Sequence, residues 1–224
     1  MQPGSAAPDP AKGAALMVTV DSVSRIRSKF RVTLSDDSSW WFTAGDLKEL
    51  GLTEGDPVDP EQLRQFTLLH QYPRGLNLAV AMLARRACSR EEIRKKLDAN
   101  HYHEEVTDLV LYKLEKEGFL DDRAFAEQWL RYRLSGRYGS RRVEQELRFK
   151  GVSPEIRSEI MESVSEEDQL SQAVLFIQAR LRRDSREEDP RKTRDRILRA
   201  LLRRGFDWDT ARTAWSRCQR GDAD

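Results

Sequence analysis

Cysteine and histidine are scarce in this chain, with two of the former and three of the latter among 224 residues. Cys88 and Cys218 are too few and too separated for a disulfide framework or a zinc site. Both fall in helical patterns where a small buried thiol is ordinary, so a reducing compartment is expected. His101 and His103 share a turn but lack further His or Cys ligands, and His103 aligns with helix N-cap positions; His70 has no chemical neighbour. No metal and no cofactor is therefore expected. A P-loop, a dinucleotide fingerprint and any interpretable Ser/His/Asp or Cys/His grouping are also missing, and the paired carboxylate Asp121-Asp122 is accounted for by helix capping. The chain is accordingly expected not to be an enzyme. No apolar run approaches membrane-spanning length, and the N-terminus has neither a charged n-region nor an adequate h-region, so a cytoplasmic protein is expected.

Hydrophobic residues make up 38% of the chain and charged residues 34%, a balance that disfavours one large core and suits several small helical bundles with wide solvated faces. What the chain does contain is repetition. With Tyr102, Val152 and Phe206 as position zero, position −9 holds Ile93, Val143 and Ile197, and position −5 holds Leu97, Leu147 and Leu201. Position +8 holds Val110, Ile160 and Ala214, and position +12 holds Leu114, Val164 and Cys218. Spacings of four predict helices. Ser89, Gly139 and Thr193 at position −13 are N-cap residues, and Gly151 and Gly205 at position −1 suit a left-handed helix end. His101 takes position −1 in the first copy and must tolerate positive φ there. Each copy reads as helix, left-handed turn, helix, and such repeat proteins commonly bind something long.

Residues 1–15 read as a disordered tail rich in Pro, Gly and Ala. Period-two alternation at Val18 and Val20, at Phe30, Val32 and Leu34, and at Trp40 and Phe42 predicts strands, with Ser35-Asp36-Asp37-Ser38 as a hairpin turn. One of Trp40 and Trp41 is expected to face the core. Asp46 to Leu50 predicts a short helix stopped by Gly51, and Asp59-Pro60-Glu61-Gln62 opens another running towards Gln71. Residues 16–72 thus form a small α+β cap. Tyr72-Pro73-Arg74-Gly75 is expected to break the chain before three tandem three-helix repeats at 73–119, 120–166 and 167–219, ahead of a short tail at 220–224. The first helix of the first repeat carries Leu78, Met82 and Leu83, Ser89 with Glu92 forms a capping box on the second, and the third covers 104–116. Ser153-Pro154 opens the last helix of the second repeat, and helices near 169–183, 194–204 and 208–218 follow an equivalent order, with an acidic-basic loop running up to Pro190. The fold class expected is mainly α: an elongated array of three three-helix repeats preceded by a small α+β cap containing a β-hairpin.

The strings Ser89-Arg90-Glu91-Glu92-Ile93-Arg94-Lys95-Lys96-Leu97 and Gly118-Phe119-Leu120-Asp121-Asp122-Arg123-Ala124-Phe125-Ala126 resemble the RecX family of regulatory proteins, which act on the bacterial recombinase RecA. The similarity continues through Arg131-Tyr132-Arg133, Gly139 and Glu146-Leu147-Arg148-Phe149-Lys150-Gly151-Val152. Gly118, Phe119, Leu120, Asp121, Asp122, Phe125 and Gly151 read as structural: Gly118 ends a helix, Asp121 caps the next and Phe125 packs inward. The resemblance implies a modular helical monomer that binds in the groove of the RecA filament on single-stranded DNA. It implies suppression of ATP hydrolysis, strand exchange and co-protease activity, with no membrane involved.

The net charge of +1 hides segregation: residues 180–204 carry eleven basic residues against five acids, whereas 155–168 are mostly acidic. That pattern suits a partner with charge of both signs or a surface close to nucleic acid, and equally a solvated helical face. Basic residues outside the apolar template are the candidate contacts: Arg85, Arg86, Arg94 and Lys95 in the first repeat, and Arg131, Arg133, Arg137, Arg141, Arg142, Arg148 and Lys150 in the second. A competing reading is a nucleic-acid-binding module that acts without RecA, its Arg137, Arg141 and Arg142 tracking phosphates and Trp40, Trp41 or Tyr138 serving as stacking platforms, with weak direct DNA binding as an auxiliary form.

Overall fold

The structure, a computed structural model, describes residues 17–183 and 189–220. The expected N-terminal tail, most of the C-terminal one and most of the acidic-basic loop lie outside the described residues. The chain falls into two compact units, one of residues 1–81 with 94–113 and the other of 82–93 with 114–224.

In the first unit, β1 (Val18–Ile26), β2 (Lys29–Leu34), β3 (Ser39–Phe42) and β4 (Pro57–Val58) form an antiparallel sheet in the order β3-β2-β1-β4. The alternation places Val20, Val32, Leu34, Trp40 and Phe42 in its core with Val58 and Leu63, so Trp40 is the inward tryptophan. The Leu34 N–H donates to Ser38 O across the expected hairpin turn (3.0 Å), in which Asp37 takes φ 65°. Helix α1 (Ala44–Leu50) starts two residues before Asp46, because Thr43 and Asp46 form a reciprocal capping box, and Gly51 at φ 63° ends it as expected.

The break expected at Tyr72–Gly75 is absent. Helix α2 runs from Pro60 to Leu83 straight through Pro73. Pro73 forfeits one backbone donor, but Leu63, Thr67, Gln71, Gly75 and Ala79, four apart, make one buried row on both sides of it. Packing along that row outweighs the local preference of about 3 kcal/mol against an interior proline. Leu78, Met82 and Leu83 are only half-buried.

Helices α3 (Arg90–Ala99) and α4 (Glu104–Lys116) are joined by a turn in which His101 has φ 55°, as expected at position −1. Its ring stacks on Trp41 at 3.8 Å, and His103 stacks on Trp40 at 4.8 Å. His103 acts as the N-cap, its Nδ1 accepting from Glu105 N, while buried Gln71 donates to Trp41 O (2.8 Å) and accepts from His103 N (3.0 Å). Burial lowers the pKa of both imidazoles and keeps His103 Nδ1 an acceptor.

The second unit holds α5 (Asp122–Ser135), α6 (Ser140–Phe149), α7 (Pro154–Glu162), α8 (Glu166–Arg183), α9 (Pro190–Arg203) and α10 (Trp208–Arg220). Phe125, Ala126, Leu130, Val143, Leu147, Val152 and Ile160 form one core there, and Ala173, Val174, Ile177, Ile197, Leu198, Leu201, Phe206, Ala211 and Ala214 another. The template residues at −9, −5 and +8 are buried in all three copies, whereas Tyr102, Val164 and Cys218 are half-buried. Helix α8 begins three residues before the expected Gln169. Thr193 is not an N-cap: α9 starts a turn earlier, where Asp189 caps Arg191 N (2.9 Å) and Pro190 takes the first helical position.

Consecutive repeats meet in the same way twice. Ser89 Oγ, at position −13, donates to Lys150 O (2.5 Å), and Gly139 N, at −13 of the next copy, donates to Arg204 O (2.9 Å). The adjoining amides are also taken: Arg90 N donates to Asp122 Oδ1 (2.7 Å) and Ser140 N to Gln169 Oε1 (2.8 Å). Gly151 at φ 75° leaves no room for a Cβ beside Glu91, nor does Gly205 at φ 90° beside Arg142. A Cβ on Gly139 would come within 3.0 Å of the Gly205 backbone.

Two predictions follow from this packing and from one buried charge. Gly205→Ala adds both a backbone clash and left-handed strain, and is expected to cost more than about 3 kcal/mol. Gly118→Ala, at φ 74° with open space around it, is expected to cost about 1 kcal/mol. Urea unfolding followed by circular dichroism compares them, and equal losses would contradict the close contact. Burial raises the Asp46 carboxyl, but Arg74 (Nη1 to Oδ2, 2.8 Å) and Thr43 outweigh it and hold the pKa at about 2. This folded value lies below the unfolded one of about 3.9, so the stabilisation is full above about pH 4 and is lost as pH falls through about 2. Asp46→Asn should therefore cost on the order of 2 kcal/mol near pH 7 and progressively less in acid, whereas a loss independent of pH would contradict the pairing.

Candidate partner-binding surface

The eleven candidate cations fall into two groups once their neighbours are known. Glu92 closes the α3 capping box with Ser89 N (3.1 Å) and also takes Arg86 (3.0 Å) and Lys150 (2.9 Å). Its burial alone would raise its pKa, yet those two cations and the Ser89 amide lower it. Glu146, at a different template position, gathers cations in the second repeat. It accepts from Arg133 Nε (2.5 Å) and Nη2 (2.8 Å), from Arg142 (2.9 Å) and from Trp129 Nε1 (3.0 Å). The Trp129 ring lies under both Lys150 (4.1 Å) and Arg133 (4.8 Å). Arg133 and Lys150, expected to be exposed, are instead half-buried side chains pinned between an acid and an indole.

The remaining candidates are placed differently. Arg94 pairs with Asp108 at 2.6 Å, and Lys95, next to it on α3, is exposed; both belong to the first unit. Arg85, Arg131, Arg141 and Arg148 are exposed on the second unit, Arg131 within 3.7 Å of Glu127 and Arg141 acting electrostatically on Asp207. Arg137 occupies the turn between α5 and α6 with φ 58°.

The residues of the Gly118–Phe125 string are structural with one exception. Gly118 has φ 74°, Asp121 caps α5 through Arg123 N and Ala124 N, and Leu120 and Phe125 are buried. Phe119 is 64% exposed. Asp122 does not cap α5: it accepts from Arg90 N, the first amide of α3, at the joint between repeats, and burial raises its carboxyl. The stacking platforms weighed for nucleic acid are all covered. Trp40 is buried, Trp41 carries His101, and Tyr138 lies beneath Arg133 (4.9 Å) and Arg204 (4.6 Å). Arg180, Arg183 and Arg204, passed over as single contacts, line a cleft with Arg137. Their only trace in the sequence is the basic run from residue 180. Among the described residues no group of three or more His, Cys, Asp or Glu is placed to hold a metal, and no helix is long and apolar enough to cross a membrane.

Family models for the second and third three-helix domains of RecX match residues 121–161 and 166–215. Regulatory protein RecX of Mycolicibacterium smegmatis is 33% identical over 60% of this chain and 74% of its own length. The chain belongs to the RecX family. RecX of Corynebacterium efficiens is 35% identical over 57% of this chain, which spans 63% of that relative, and RecX of Clostridium botulinum is 24% identical over 83% of this chain and 87% of its own. A crystal structure of regulatory protein RecX matches 89% of the chain and 99% of its own with a TM-score of 0.60 at 19% identity. That of RecX from Lactobacillus salivarius matches 66% and 96% with 0.59 at 22% identity, so these two likenesses concern the fold.

Removing a pinned cation and removing an exposed one should differ in stability. Arg133→Ala is expected to cost about 1–2 kcal/mol, because it removes two charge-assisted hydrogen bonds from the half-buried Glu146 and one of the two cations over Trp129. Arg148→Ala should change stability by less than about 0.5 kcal/mol. Equal effects on thermal unfolding would remove the distinction between supporting and surface cations.

Proposed function

We propose that this chain regulates RecA by binding the RecA filament on single-stranded DNA, lowering its ATP hydrolysis, strand exchange and co-protease activity without a catalytic step of its own. Membership of the RecX family supports the regulatory role. The observation that carries the mode of action is the joint between repeats, which recurs with its acceptor at the same template position, the carbonyls of Lys150 and Arg204. A regularly repeating partner can meet such units with several modest contacts at once, and their summed affinity depends on that regularity. Free RecA would then bind more weakly than the filament. Arg131, Arg141 and Arg148 are the contacts we assign, since each is exposed and none is committed to the Glu92 or Glu146 clusters.

Added to preformed RecA filaments, the chain is expected to depress ATP hydrolysis. The triple variant Arg131→Ala, Arg141→Ala, Arg148→Ala should need at least about tenfold more protein for the same effect, as three surface charges at roughly 0.5–1 kcal/mol each imply. Its helicity by circular dichroism should be unchanged. Wild-type potency in the triple variant would remove the site, and no inhibition by the unmodified chain would remove the function.

A further inference from the structure

We propose that the cleft between the C-terminal end of α5, helix α8 and the turn after α9 binds phosphate oxyanions, of the kind strung along a nucleic-acid backbone. The inference does not rest on filament binding.

The cleft measures about 310 Å³, enough for a phosphate group with its ester substituents, and Arg137, Arg180, Arg183 and Arg204 line it with Phe176 and, among the described residues, no carboxylate. At two other places in this unit where cations converge, an acid sits among them: Glu92 gathers Arg86 and Lys150, and Glu146 gathers Arg133 and Arg142. Among the described residues no carboxylate lines this group. Arg204 is fixed, its Nη1 donating to Gly136 O (2.8 Å) and Arg137 O (3.2 Å) and its guanidinium lying against Tyr138 (4.6 Å) and Phe176 (4.7 Å). It closes the carbonyl end of α5, so the negative pole of that helix does not serve as the counter-charge. For Arg137, Arg180 and Arg183, no hydrogen-bond or ion-pair partner of the side chain is found among the described residues.

Arg137 adds a second argument. It holds φ 58°, a conformation that costs a side-chain-bearing residue about 1 kcal/mol where glycine would be unstrained. The strained turn thus carries a guanidinium into the cleft lining. Several such forks around one small cavity offer more donors than a single carboxylate accepts, and they match the fixed geometry of phosphate oxygens. Because Phe176 and Tyr138 are both taken up by Arg204, the cleft has no free ring on which to stack a base. Binding should therefore be blind to base identity and strongly salt-dependent.

The test uses the full chain without RecA. Fluorescence anisotropy with labelled single-stranded oligothymidylate across a salt series reads the nucleic-acid source, and calorimetric titration with inorganic pyrophosphate reads the free source. The variants are Arg180→Gln with Arg183→Gln, and Arg137→Gly. The double variant is expected to weaken binding at least tenfold and to flatten the plot of log affinity against log salt by about 1.4, two phosphate contacts at about 0.7 each. Arg137→Gly should weaken binding while unfolding at an equal or higher temperature, which a merely structural arginine would not do. Loss confined to oligothymidylate identifies a nucleic-acid backbone, and loss confined to pyrophosphate identifies a free phosphate compound. The proposal is overturned if both variants bind both probes like the unmodified chain, or if the unmodified chain binds neither. It is equally overturned if, in a parallel titration with polyglutamate, the variants lose only polyglutamate binding, which would make the cleft a site for an acidic peptide.

Discussion

One backbone contact recurs through the second unit and organises it: the left-handed turn of each following repeat closes on the first residues of the helix that opens the preceding turn. Gly151 and Gly205 meet two separate demands there. The positive φ turns the chain, and the missing Cβ admits Glu91 or Arg142. The donors at position −13 fit the same constraint by different means, a serine hydroxyl in one copy and a glycine amide in the next. Both ends of the series depart from the pattern for one reason. At His101 no earlier repeat closes on the turn, and the flat ring of Trp41 takes that place, where an imidazole is an advantage. At Thr193 no further turn packs among the described residues, and α9 begins a turn earlier at Asp189-Pro190.

Charge is organised by the same joints. Glu92, beside the first, and Glu146, within the second repeat, each draw basic residues inward over Trp129. Part of the basic content is therefore internal scaffolding, and a net charge near zero says little about the surface. What remains outside is sparse on α5 and α6 and dense around the α5–α8 cleft. The proposed filament contacts lie among the former and the proposed phosphate site in the latter.

The repeat pattern was legible because helical periodicity fell at the same offsets in all three copies, with the N-cap position and the turn glycine each matching in two. The strands of the cap were legible from alternation. Pro73 was misleading, since a proline reads as a break unless the buried row at 63, 67, 71, 75 and 79 is weighed against it. The candidate surface was less legible. Absence from the apolar template does not mean exposure, as Arg133 and Lys150 demonstrate, because their acid partners lie 13 and 58 residues away. The role of Asp122 was hidden likewise, since its partner is a backbone amide 32 residues earlier. The cleft brings together arginines from three separate segments, and only tertiary structure places them around one space.

The central claim is that the chain engages RecA as a polymer, through its three-helix repeats. Electron cryomicroscopy of RecA filaments on single-stranded DNA, saturated with this chain, tests it most directly. Extra density repeating along the filament groove in register with the RecA subunits is the predicted result. Bare filament sides, with density absent or confined to the ends, would contradict it.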